Sequence, residues 1–146
     1  MPIKVAYGKA MKTWVKWIEE NVDPSKTIVF FRSISAQHIA KQWCYNSTQP
    51  IFDESYKNMF PQSHVNIVER LIKGMSKPKV RYLNITKLSG YRIDAHPSVY
   101  KSLEWIIDAP KYKRPRKPFA DCSHWCLPGL PDTWNRLLYS SLFFDT

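Results

Sequence analysis

Two short apolar runs, each preceded by an amphipathic helical stretch, constrain this chain more than anything else in it. Ala10, Trp14 and Ile18 fall at i, i+4, i+8, with Met11, Val15 and Trp17 beside them. This spacing predicts a helix over 3–22, broken at Asp23-Pro24-Ser25. Residues 27–31, TIVFF, then read as a strand covered on both faces, as in a parallel sheet. A second helical pattern, Val65, Val68, Ile72 and Met75, runs from a Ser63 cap to Gly74 or Lys77-Pro78. VRYLNIT, residues 80–86, is the next expected strand. Helix, strand, helix, strand predicts an α/β layered domain with a parallel sheet. Residues 33–61 lack periodicity and read as a long loop, a class often functional. Residues 87–120 read as irregular, apart from a helical turn near 98–107. A last helix is expected over 133–144, with Trp134, Leu137, Leu138 and Leu142 on one side. Two strands make a thin sheet, which suggests part of something larger.

The 146 residues suit one domain, and 44% hydrophobic content suffices for a core. No run nears the roughly 18 apolar residues of a membrane helix. The start, MPIKVAYGKAMKTW, lacks the apolar segment of a signal peptide. A net charge of +10 admits nucleic acid, acidic glycans or lipid head groups as partners without choosing among them. Cysteines stand at 44, 122 and 126, an odd number. In a reducing compartment free thiols are the default; in a secretory one the odd cysteine wants a partner elsewhere. The sequons at Asn46 and Asn84 favour the secretory setting.

The sharpest chemical pattern is Asp121-Cys122-Ser123-His124. An aspartate three residues before a histidine, on a tight turn, can place both side chains together. In serine-hydrolase chemistry such a carboxylate orients the imidazole, which removes the nucleophile's proton. The bare D-x-x-H pattern is common, and a lone histidine is more often structural. Flanking Cys122 and Cys126 would rigidify this turn near the carboxyl edge of the sheet, where open α/β sheets place their sites.

DCSHWCLPGLPDTWNRLL, VFFRSISAQH (29–38), WCYNSTQPI (43–51), VRYLNITKLSGYRIDAHPSVY (80–100) and AMKTWVKWIEENVDPSKTIVFF (10–31) occur in the order found in one family. The chain resembles the plant trichome-birefringence-like polysaccharide O-acetyltransferases, of the PC-esterase, SGNH-like fold. The likeness runs from about residue 5 to 143 and is weak only over 101–118. It implies a partial SGNH-hydrolase-like three-layer α/β domain, with residues 1–146 as its C-terminal part and 101–118 as a variable basic loop.

The resemblance further implies transfer of acetyl groups to hydroxyls of xylan, mannan or pectin by a Ser-His-Asp triad. Asp121 and His124 would be its carboxylate and base. The family's nucleophile lies in a G-D-S motif, and none of Gly8, Gly74, Gly90 or Gly129 begins one. The chain therefore reads as a C-terminal half that is inactive and poorly stable alone. Ser123 lies inside the triad turn and is no substitute; Ser35 is a less implausible stand-in with nothing arguing for it. The resemblance pairs Cys44 with Cys122, and Cys126 with a cysteine of the missing half. It also implies Golgi residence through an anchor absent here, a cell-wall polysaccharide acceptor, and no bound cofactor. The acetyl donor is not readable; acetyl-CoA is one candidate. The alternatives are an acetyl esterase with the same triad, and a non-catalytic fragment that binds glycan.

Several features also have blander explanations. Cys122, His124 and Cys126 could bind zinc with Cys44 or His96, but C-x-H-x-C is not a usual zinc spacing, and no metal is expected. Arg92, Asp94 and His96 would share one face of an extended segment. They would support the site or touch the acceptor, although a buried ion pair pinning the loop is the preferred reading. Arg32 and His38 divide the same way. KYKRPRK, residues 111–117, could bind nucleic acid but reads more simply as a solvated loop, so no nucleic-acid partner is expected. Trp14, Trp17 and Trp134 suit helix packing; Trp43 and Trp125 are the candidates for stacking on a sugar.

Overall fold

A computed structural model describes residues 1–57, 60–100 and 120–144. Helix α1 spans Ile3–Asn21. Met11 and Ile18 are its buried residues, with Tyr7, Trp14 and Val15 half-buried beside them. The inward stripe is thus rotated from the expected one: Ala10 and Trp17 face solvent. The helix stops where Asn21 turns its amide onto the Trp17 carbonyl. Asp23 then accepts from both the backbone N–H and the hydroxyl of Ser25, forming an Asx turn.

Strand β1 is Val29–Arg32 and strand β2 is Val80–Leu83. They pair in parallel, Val29 opposite Val80 and Arg32 opposite Leu83. β1 begins later than expected because the N–H groups of Lys26 and Thr27 remain bonded to the Asp23 carbonyl. β2 ends earlier because the N–H groups of Ile85 and Thr86 turn to the Ser33 hydroxyl, 2.9 and 3.1 Å away. Between the strands, helix α2 (Gln62–Gly74) starts after Pro61, not from a Ser63 cap, and buries Val65 and Val68. Among the described residues of 33–61 there is one short 3-10 turn, Ala40–Gln42, and no longer helix.

Side chains alternate across the strands and divide the helices between the two faces. Phe31 meets Trp14 of α1 edge-on, with ring centroids 5.3 Å apart, and Tyr82 lies on the same side. Phe30 and Leu83 instead line a groove with Pro131, Trp134 and Leu138 of the last helix. Helices α1 and α2 therefore cover one face and the last helix the other, which makes three layers. The strands are only half-buried, not fully enclosed as TIVFF suggested.

A short helix, α3 (Thr86–Gly90), and a 3-10 turn, Ile93–Ala95, occupy a segment read as irregular. The turn expected near 98–107 and the basic stretch 111–117 lie almost wholly outside the described residues. The last helix, α4, is Leu130–Phe143, starting three residues before the expected 133. Asp132 explains the start: its carboxylate accepts from the Gly129 N–H at 2.7 Å while its own N–H donates to the Gly129 carbonyl. Leu137, Leu138 and Leu142 stay 37–42% exposed, so the expected apolar side of α4 is only partly covered among the described residues. An Arg81 guanidinium from β2 donates to the Ser141 carbonyl of α4.

Candidate functional site

Both strands deliver their carboxyl ends to one edge of the sheet, where Ser33 is the hub. Its hydroxyl accepts from the Ile85 and Thr86 N–H groups, and the Thr86 hydroxyl donates to the Ile34 carbonyl. This holds the chain after β1 against the chain after β2. Residues 34–38 then run along the edge, with Ala36 and His38 buried.

The 121–126 turn sits on that edge, held from several directions. The His38 N–H donates to the Cys122 carbonyl at 2.9 Å. Ser98 and Asp121 form an antiparallel bridge through two backbone bonds of 3.0 and 2.8 Å. The Cys126 N–H donates to the Ala95 carbonyl, and the Trp125 indole donates to the Ser35 hydroxyl at 3.0 Å. Cys44 and Cys122 form a disulfide across 78 residues, with Cα atoms 5.5 Å apart. The sulfur of Cys122 thus has no thiolate to offer a zinc ion. Among the described residues no cluster of three metal-ligating side chains forms. Cys126 is a free, exposed thiol.

Inside the turn, the Asp121 carboxylate receives the His124 ring through Nδ1, 2.9 Å from Oδ2 and 3.1 Å from Oδ1. The backbone N–H groups of Ser123 and His124 donate to Oδ1. A carboxylate only accepts, so Nδ1 carries the proton and Nε2 is the basic nitrogen. The His124 side chain is 78% exposed and that of Asp121 is 16% exposed. The arrangement is a fixed acid anchor beneath a base that faces outward.

Behind it stands a buried row. His96 Nδ1 lies 2.5 Å from the His124 carbonyl oxygen, His96 Nε2 lies 2.7 Å from His38 Nδ1, and His38 Nε2 lies 2.7 Å from the Gly90 carbonyl oxygen. Burial pushes both imidazoles below their ordinary value, against the raising effect of these carbonyls. His96 stacks on Trp125 at 4.0 Å. One face of that indole is therefore covered by His96. Trp43 stacks on Tyr45 at 4.8 Å.

Arg92, Asp94 and His96 do not alternate along an extended segment as expected, because a 3-10 turn intervenes. The turn lets Arg92 and Asp94 pair two residues apart, Nε to Oδ1 at 2.9 Å and a terminal nitrogen to Oδ2 at 3.0 Å. The hydrogen bond to Asp94 raises the Arg92 pKa further. The pair is partly exposed, not buried, since the Arg92 side chain keeps 42% of its surface. Arg32 is placed over the Trp134 ring, 5.5 Å from its centroid, at the mouth of the groove between the sheet and α4. Asn46, in the left-handed region at φ 61°, and Asn84 are both exposed; Thr86 of the second sequon is buried under its own hydrogen bonds. Sequence reasoning missed Ser33, Ser35, Gly90 and Ala95 as supports, since each acts on a partner dozens of residues away.

Against known proteins, residues 1–141 match the model of the PC-esterase family, described as a GDSL/SGNH-like acyl-esterase family found in Pmr5 and Cas1p. The protein trichome birefringence of Arabidopsis thaliana is 45% identical over 143 residues, covering 94% of this chain and 23% of that protein. A probable xylan O-acetyltransferase 8 of Oryza sativa subsp. japonica is 41% identical over 146 residues, covering 94% and 33%. Trichome birefringence-like protein 43 of Arabidopsis thaliana is 45% identical over 148 residues, covering 95% and 36%. The chain thus spans about a quarter to a third of the length of these relatives.

Proposed function

Because the chain belongs to the PC-esterase family, we propose that it supplies the Asp121–His124 part of a Ser-His-Asp centre that moves acetyl groups onto polysaccharide hydroxyls. The observation that supports this reading most is the Asp121 grip on His124 Nδ1 and on two backbone N–H groups of the same turn. It holds an outward-facing base with Nε2 ready to accept. Two relatives are named as probable xylan O-acetyltransferases, which favours a plant cell-wall xylan as acceptor over other glycans.

No Gly-Asp-Ser stands in these 146 residues. We assign the nucleophilic serine to another part of the whole protein. Its hydroxyl oxygen attacks the acetyl carbonyl of the donor while His124 Nε2 takes the proton. The leaving group departs with that proton, and the acetyl group rests on the serine. A sugar hydroxyl then attacks, gives its proton to Nε2, and the serine recovers it. Asp121 stabilises the imidazolium in both halves. The Cys44–Cys122 disulfide suits an oxidising compartment, in keeping with residence in the Golgi lumen. No described helix is long and apolar enough to cross a membrane.

The test uses the full-length protein with labelled acetyl donor and xylan oligosaccharide. Label should enter the oligosaccharide and be lost in His124→Ala. Release of the label as free acetate at the same rate, with none on the sugar, would instead mean hydrolysis.

A further inference from the structure

The acyl-transfer chemistry leaves His38 and His96 without a task, although they are among the most buried polar residues, at 0% and 5% exposure. Their ring nitrogens make three short contacts in a row. The outer two meet backbone carbonyls, Gly90 for His38 and His124 for His96, at 2.7 and 2.5 Å. The inner contact is ring nitrogen to ring nitrogen, 2.7 Å. A carbonyl oxygen only accepts, so each outer contact requires an N–H on the imidazole. A neutral imidazole has one N–H. If both rings are neutral, those two protons are used and two bare lone pairs face each other at the centre. Turning one proton inward merely moves the clash to a carbonyl. Two protons cannot satisfy three contacts, while three protons satisfy all of them.

We propose that His38 and His96 share a third proton, forming a buried imidazole–imidazolium pair that positions the turn carrying His124. The positioning consequence rests on His124 being the base; the proton count does not. Charged and titratable groups around the pair fit a single positive charge. The carboxylates of Asp94 and Asp121 attract it, and Asp94 is itself held by Arg92. Tyr56 lies over His38 at 6.5 Å, and burial raises its hydroxyl pKa, so it stays neutral. The Trp125 face against His96 suits a cation. A second charge is opposed by burial and by the first.

The pair then titrates as a unit in two directions. Below the ordinary histidine range the unfolded chain binds two protons and the folded pair one, so stability falls as pH drops. Above that range the unfolded chain binds none and the folded pair still holds one, so stability falls as pH rises. The contribution is bell-shaped, with each limb changing the folding equilibrium by up to about tenfold per pH unit.

The primary experiment is nitrogen NMR on the full-length protein carrying 15N-histidine, with the signals of His38 and His96 assigned by substituting each in turn. At neutral pH three of the four ring nitrogens of His38 and His96 should be protonated, with one strongly deshielded proton coupled to both inner nitrogens. Two bare inner nitrogens would overturn the proposal. The second experiment compares denaturant unfolding of the full-length wild type with His96→Phe, which keeps an aromatic ring against Trp125, between acid and alkaline pH. The wild-type advantage should peak near neutrality and decline on both sides. A plateau on the alkaline side, or a pH-independent difference, would overturn it. His124→Ala should leave the NMR signature in place, so failure of the acyl-transfer reading and failure of the shared proton are told apart.

Discussion

Asp121 holds His124 twice. Its Oδ2 takes the ring N–H at 2.9 Å and its Oδ1 takes the backbone N–H of the same residue at 3.1 Å. One carboxylate thus sets both the tautomer of the ring and the turn that presents it. Asp121→Asn keeps the size but can turn an amide N–H toward Nδ1, favouring the wrong tautomer. Under the proposed acyl-transfer role, acetyl transfer by the full-length protein should fall by about 10³–10⁴-fold in kcat with little change in Tm, the loss that this substitution brings in Ser-His-Asp enzymes. A loss smaller than tenfold would remove Asp121 from the triad.

The disulfide joins two segments 78 residues apart, so its constraint falls mainly on the unfolded chain. Cys44→Ala together with Cys122→Ala should lower stability by about 4–5 kcal/mol by the loop-closure relation. A shift of the denaturation midpoint in urea, matched by adding reductant to the wild type, checks it.

Ser33 is buried, and its single oxygen accepts from two backbone N–H groups and lies 2.9 Å from the Thr86 hydroxyl oxygen. Ser33→Ala leaves those donors unsatisfied between the ends of β1 and β2. The expected cost is about 1–3 kcal/mol, read as a lower Tm. Ser33→Thr retains an oxygen and should recover part of it.

Gly129 precedes α4 with its missing side chain aimed at the Cys126 carbonyl; a Cβ there would lie 2.6 Å from that oxygen. The obstacle is backbone, so the turn itself must shift. Gly129→Ala should destabilise by about 1–3 kcal/mol and displace the His124 turn, lowering activity as well as Tm. An unchanged Tm and rate would show that the 126–129 segment yields freely.

Acid should weaken the protein through His38 and His96. Burial disfavours charge on each ring, and a first charge on the pair opposes a second. Below pH about 6.5 the unfolded chain therefore binds more protons, and stability falls with falling pH. Wild type should lose more stability between pH 7 and 5 than His96→Phe, as read from urea midpoints.

Much of the site is local in sequence. Asp121 and His124 meet within one turn, and the three-residue spacing with flanking cysteines was enough to mark them. The helices and the parallel pair of strands were legible for the same reason, since helical spacing and apolar runs are short-range patterns. Boundaries were less so. β2 stops at Leu83 because a hydroxyl from residue 33, outside any window around residue 83, takes the N–H groups of Ile85 and Thr86. The start of α4 is also written locally, in Gly129, Pro131 and Asp132, upstream of the leucine spacing.

By itself, then, the sequence determined the order of elements and the pairing of Asp121 with His124 in one turn, since those depend on residues within a few positions of each other. Only the tertiary structure decided that His38 and His96 share a hydrogen bond across 58 residues, and that Trp125 packs on His96. It also made Arg92 and Asp94 a partly exposed ion pair. Those pairings depend on where two distant chain segments come to rest, and that is settled by packing of the whole sheet edge, not by spacing along the chain.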